Sequence, residues 1–164
     1  LEQLARLAGF FAAHGVYCIA EGETLVPLVG YELGDGSRGL VRFATELLGQ
    51  GVAEAKEWIE TNPEHAARAA LVYDGYTMID ARKVDALMID ARIFGEEASA
   101  LSLLVAVPYR AVEHPGGFRV HPPKLLAFSG RQDAEAAIAA AFFQGVNQHS
   151  EGARVWNAHS DQGL

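Results

Sequence analysis

The sequence predicts an α+β fold: a mainly antiparallel sheet of about five or six strands with two or three helices packed on it. Three observations carry this reading. Extended apolar runs are joined by short, turn-rich links, which antiparallel hairpins allow and parallel crossovers do not. Segments of helical period, at 2–13, 52–61 and 133–143, flank a run of consecutive strands instead of alternating with single ones. The chain has 164 residues, half of them hydrophobic and 21% charged, a balance that suits a single domain over 1–164 with no need of a disulfide or metal to hold its core.

Residues 2–13 place Leu4, Leu7, Ala8 and Phe11 on one helical face, and Gly15 follows as a stop. Val16–Ala20 is a short apolar run with strand character. Leu25–Leu33 and Gly39–Phe43 read as a hairpin around Gly34-Asp35-Gly36, with Pro27 marking an edge or a strand start. Gly49 and Gly51 delay the second helix to 52–61, where Val52, Ala55 and Ile59 share a face and Trp58 is the anchor to the sheet. Asn62-Pro63-Glu64 stops that helix and allows one further helical turn through Arg68.

Strands at about 70–79 and 84–94 form a central hairpin that contains Met-Ile-Asp-Ala-Arg twice, at 78–82 and 88–92. One repeat at so short a period does not make a solenoid. Glu96-Glu97-Ala98 connects the hairpin to Leu101–Val107, which is apolar on both faces and so a covered strand, its pairing ended by Pro108. His114-Pro115-Gly116-Gly117 is a turn, and Phe118–Phe128 is extended but divided by Pro122-Pro123. Ser129 with Gln132 reads as a capping box for the Ala-rich helix 133–143. Residues 146–164, polar apart from Val155 and Trp156, read as a loosely docked tail. The order helix, hairpin, helix, meander, helix is similar to that of profilin-like and roadblock-like interaction domains. The likeness is one of element order and no residue motif accompanies it, so it implies a fold and no ligand.

A net charge of −8 argues against non-specific nucleic-acid binding and against docking on an anionic membrane. No run reaches the roughly 18 apolar residues that a membrane-spanning helix needs. The segment from Leu1 to Gly15 carries Glu2 and only Arg6 as a positive charge, which makes a poor signal peptide. The chain opens on Leu1 instead of Met, so a few residues are expected to be missing or trimmed. Cys18 is the one cysteine, which excludes an internal disulfide and fits a buried, inert thiol in a cytoplasmic protein. Arginine outnumbers lysine ten to three, a compositional bias of GC-rich bacterial genomes.

Chemistry-bearing residues concentrate in two places. In the central hairpin, a three-residue loop at 81–83 would set Asp74 opposite Asp90, a carboxylate pair able to hold a metal or to act as acid and base. A two-residue loop at Arg82-Lys83 would instead face Asp80 with Asp85. The alternative for Asp74 and Asp90 is a solvated position, paired with Arg92 or Arg110. Asp85 and Asp90-Ala91-Arg92 match the carboxylate spacing of restriction-nuclease sites only superficially, because arginine stands where an activating lysine is needed. The second place is Tyr109-Arg110 with His114, Arg119 and His121, the densest polar and aromatic group, on a loop between two strands. His114 and His121 could be zinc ligands, although their spacing is not diagnostic and solvent-exposed histidines are the simpler reading. Gly34, Gly36 and Gly39 match GxGxxG in spacing but sit inside a hairpin, where no dinucleotide would bind.

The sequence therefore predicts no cofactor and no metal. It favours a non-enzymatic interaction or binding module acting as a homodimer, because the helices carry more apolar face than one small sheet covers. Two other readings stand beside it. One is a divalent-metal-dependent hydrolase using Asp74 and Asp90. The other is a small-ligand-binding domain with a pocket between sheet and helices, lined by Tyr73, Tyr76, Tyr109 and Phe118, with Arg110, His114, Arg119 and His121 nearby.

Overall fold

The computed structural model describes residues 1–95, 101–130 and 132–163. Its elements are α1 (Glu2–Ile19), β1 (Leu28–Glu32), β2 (Arg38–Arg42), α2 (Leu48–Thr61), β3 (Arg68–Ile79), β4 (Arg82–Ile93), β5 (Ser102–Arg110), β6 (Arg119–Val120), β7 (Lys124–Phe128), α3 (Glu135–Gln148) and α4 (Ser150–His159). The strands form one antiparallel sheet in the order β2-β1-β3-β4-β5-β6, and β7 also pairs with β5. The α+β class and the antiparallel sheet are as the sequence predicts, with four helices among the described residues where two or three were expected.

Alternation along each strand divides the sheet into two faces. On one, Val72, Leu87, Ile89 and Val105 meet Leu4, Leu7, Phe11 and Val16 of α1 in the main core. Gly15 does not stop α1. It lies inside the helix, where a Cβ would come 3.1 Å from both Leu87 Cδ1 and Val72 Cγ1, so its bare backbone lets α1 lie flat on β3 and β4. Val16–Ile19 is thereby the last turn of α1 and not a strand. On the other face α2 buries Ala55 and Ile59 against Val29, Ala69 and Leu71, and Trp58 stacks 5.3 Å from Tyr31. This helix begins at Leu48, four residues before the expected start, because Gly49 faces open space and Gly51 tucks under Phe43 without breaking the turn. Asn62 closes it in a left-handed conformation, φ 43°, and its side-chain amide brackets the backbone of Ala66, so no further helical turn follows.

The central hairpin turns at neither of the two expected loops. Ile79 pairs with Arg82 across a two-residue turn at Asp80-Ala81, both with positive φ (48° and 61°), the type I′ geometry that matches strand twist. This register sets Asp74 opposite Leu87, Tyr76 opposite Asp85 and Asp90 opposite Leu71. Asp74 therefore lies on the α1 face and Asp90 on the α2 face, and the expected carboxylate pair is not formed. Asp90 lies 3.8 Å from Arg92 instead. The two copies of Met-Ile-Asp-Ala-Arg share no conformation: the first contains the turn, the second runs within β4.

β5 stays paired through Pro108, whose partner is Ala86, and ends at Arg110. Glu96-Glu97-Ala98 lies outside the described residues. Ser129 does not cap α3. Its hydroxyl accepts from the Ser102 N–H at 3.0 Å, and a 3₁₀ turn at Gln132–Ala134 leads into the helix. α3 runs close against α1, since a Cβ on Gly145 would overlap the Arg6 carbonyl and one on Gly9 the Phe142 carbonyl. The segment expected as a loosely docked tail completes α3 and forms α4, which buries Ala153 and Trp156 against the core. Among the described residues no helix is long and apolar enough to cross a membrane.

Candidate functional site

Several of the residues that the sequence singles out lie at one end of the sheet, where β5 hands over to β6. The connection from Ala111 to Phe118 is held by its own backbone, His114 N–H to Ala111 O at 3.1 Å and Gly117 N–H to His114 O at 2.7 Å. Arg110 folds back over it, donating from Nη2 to Gly116 O (2.9 Å) and from Nε to Gly117 O (3.1 Å). The loop is thus a fixed platform and not a slack connection.

Two histidines at this end of the sheet, His114 on the loop and His121 just after β6, have their tautomers set by backbone groups. His114 Nδ1 accepts from the Gly116 N–H at 3.1 Å, so its neutral ring carries the proton on Nε2. His121 has the opposite arrangement. Its Nδ1 faces the Asp161 carbonyl at 3.3 Å, and a carbonyl can only accept, so Nδ1 carries the proton and Nε2 is a bare acceptor. The backbone of His121 is pinned by its N–H to Pro108 O at 2.9 Å. Asp161 is held in turn by its N–H to Val120 O at 2.9 Å, beside a parallel bridge between Val120 and Ser160. The segment after α4, far from this loop in sequence, is what fixes the His121 ring.

His121 is 4% exposed, one of two buried polar side chains among the described residues. Its Nε2 has no hydrogen-bond partner among them. Among the described residues, sealed side-chain nitrogens without a partner include Arg68 Nε and His159 Nδ1. His121 lines two clefts, one of about 460 Å³ with Lys83, Asp85, Tyr109, Arg110 and His114, and one of about 260 Å³ with Trp156, Ser160 and Gln162. The hairpin register delivers Lys83 and Asp85 to the wall of the first, and Lys83 Nζ stands 4.0 Å over the ring of Tyr76.

Tyr109 separates that first cleft from a smaller one of about 150 Å³ that it shares with Asp74, Glu23 and Glu113. Its hydroxyl donates to Asp74 Oδ1 at 2.8 Å. Burial raises the Asp74 pKa above the ordinary carboxylate value, and the bond from Tyr109 partly offsets that rise. Burial, followed by that same bond and the Asp74 charge, moves the Tyr109 phenol far above its ordinary range, so it remains a donor. The structure thus unites Asp74, Tyr76, Tyr109, Arg110, His114 and His121 at one end of the sheet. Arg119 stands apart, donating to the Phe118 carbonyl at 2.8 Å, and Asp90 lies on the opposite face. Tyr73 also lies on that opposite face, so no pocket holds it together with Tyr109 and Phe118.

A second polar cluster joins α1 to the α3–α4 junction. His14 Nδ1 lies 3.1 Å from His149 Nε2, and His149 Nδ1 accepts from the Gly152 N–H at 3.0 Å. In the neutral pair His149 therefore donates from Nε2 to His14 Nδ1, and His14 Nε2 lies 3.7 Å from Cys18 Sγ and 3.5 Å from Arg42 Nη2. Burial pushes the Cys18 thiol up, as befits an unreactive sulfur. Sequence spacing gave no sign of this cluster, because its histidines are 135 residues apart.

Among the described residues no group of three or more His, Cys, Asp or Glu side chains is arranged to hold a metal ion. Comparison with models of known protein families, with curated proteins and with solved structures finds no match for this chain.

Proposed function

We propose that this chain is a non-enzymatic binding protein whose ligand is a small polar molecule seated in the cleft of Tyr109, His114 and His121. One observation carries the reading: His121, 4% exposed and with its tautomer set by the Asp161 carbonyl, lines a cleft of about 460 Å³ together with Tyr109 and His114. A ligand donor would supply His121 Nε2 with the partner that no described residue gives it. The volume also falls in the range of small-molecule sites. The separation of Asp74 from Asp90 by the thickness of the sheet weighs against the hydrolase reading, which needs them on one side.

Saturation-transfer NMR with amino acids, hydroxy acids, sugar phosphates and nucleosides tests this. At least one class is expected to bind the protein and to lose binding on His114→Ala, a change at an exposed position. No binding by any class would contradict the proposal. Self-association is a second reading, favoured by Leu126 on β7 and Phe143 on α3, which are 44% and 42% exposed. Sedimentation equilibrium would show a dimer that Leu126→Glu weakens, or a monomer at all concentrations and no such role.

A further inference from the structure

Two ring contacts join α1 to the start of α4, and together they fix how many protons the rings can carry. His149 Nδ1 accepts from the Gly152 N–H at 3.0 Å, which is the side-chain cap of α4. His14 Nδ1 lies 3.1 Å from His149 Nε2. Both contacts form only with no proton on His149 Nδ1 and one proton between the rings. The neutral pair, with two protons for four ring nitrogens, meets that condition. A third proton has two places to go. On His149 Nδ1 it turns the cap acceptor into a donor facing the Gly152 N–H. On His14 Nδ1 it faces the proton of His149 Nε2, and shifting that proton to His149 Nδ1 again ends the cap. We infer that this pair is a proton-operated latch, which holds the first turn of α4 on α1 while both rings are neutral and releases it when either ring takes a proton.

The packing leaves the first turn no other way to relieve a donor facing a donor. A Cβ on Gly152 would strike both the Ala13 carbonyl and the His149 ring, so the turn moves by leaving α1. The charged and titratable neighbours come from three elements. From β2, Arg42 Nη2 lies 3.5 Å from His14 Nε2, and Arg38 donates to Gln148, next to His149, at 3.4 Å. From α1, Cys18 Sγ lies 3.7 Å from His14 Nε2, and the Tyr17 ring is 6.4 Å from that of His149. From α4 come Glu151 in its first turn and Arg154, which lines a cleft with Arg42, Glu21 and Glu23. The salt bridges among the described residues join Glu32 to Arg38 and Arg68, and Asp90 to Arg92, so they hold no proton on either ring. Burial, followed by His149 and Arg42, lowers the His14 pKa. The latch is therefore closed at neutral pH and opens as pH falls below the ordinary histidine value of about 6.5. The other end of α4 leads into Ser160 and Asp161, which bond to Val120 and set the His121 ring, so α4 links the latch to that part of the sheet.

The test is an NMR titration of the full chain from about pH 8 to about pH 5, following the histidine rings and the backbone amides together. The Gly152 amide proton is expected to move upfield as its hydrogen bond is lost. Amide exchange in the first turn of α4, corrected for its intrinsic pH dependence, is expected to rise about tenfold, the effect of losing a cap. Both changes are expected at the midpoint at which the His14 and His149 rings titrate, with the amides of β3 and β4 unchanged. His149→Asn keeps a capping acceptor that does not titrate, and α4 exchange in that variant is expected to stay flat over the same range. Three results would each overturn the inference: α4 amides unmoved while both rings titrate, a release whose midpoint matches neither ring, or the same release in His149→Asn. The first two are read on the unmodified chain, so the test does not depend on the variant folding.

Discussion

His14 shows how much one side chain's surroundings decide. Its pKa is lowered, first by burial and then by His149 and Arg42, whose guanidinium lies 3.5 Å from its Nε2. A base with a depressed folded-state pKa binds its proton more readily when unfolded. Its neutral form contributes stability above the ordinary histidine pKa of about 6.5, and that contribution falls as pH drops from there through the folded value. The thermal midpoint is therefore expected to fall between neutral and mildly acidic pH, and His14→Gln to flatten that fall. An unchanged slope in the variant would place the acid sensitivity elsewhere. Asp74 acts in the opposite direction. Its raised pKa means that the folded state holds a proton more readily, which favours folding as pH falls toward the ordinary carboxylate range. None of this was legible in the sequence, since each shift depends on residues brought together from distant segments. The choice of Tyr109, His114 and His121 was legible, because polar and aromatic residues gathered on a short loop between strands need only local sequence to be found.

At the scale of the element, the central hairpin was visible in the sequence and its register was not. The strands are long and apolar, but the turn residues Asp80 and Ala81 are not the Asn-Gly or Gly-rich pair that marks a type I′ turn. Alanine in the left-handed region costs about 1–2 kcal/mol. Ala81→Gly is accordingly expected to raise stability by about 1 kcal/mol in chemical denaturation. A loss instead would mean that the turn is not where the pairing puts it. The contact of α1 with α3 has the reverse dependence. Gly145 lies where a Cβ would strike the Arg6 carbonyl, so Gly145→Ala forces two backbones apart. The expected cost is about 1–3 kcal/mol, the range for overpacked cores, read from the same denaturation curves. Gly15 at the end of an apolar helical run reads as a stop in the sequence; whether such a glycine ends a helix or admits a neighbour depends on the neighbour, which local sequence does not contain.

For the whole molecule, the fold class followed from the sequence because alternation and helical period survive in each segment separately. The closing stretch did not. Its polar composition hid α4, whose burial rests on little more than Ala153 and Trp156. Yet the segment after α4 supplies the Asp161 carbonyl that sets the His121 tautomer, so the site depends on both ends of the second half of the chain. The most direct test of this arrangement is long-range ¹H–¹⁵N NMR of the histidine rings at a pH where they are neutral. His114 is predicted to appear as the Nε2–H tautomer and His121 as the Nδ1–H tautomer, with the Nε2 resonance of His121 shifting when a ligand binds. Finding His121 as the Nε2–H tautomer, or unmoved by a ligand that binds, would contradict the account.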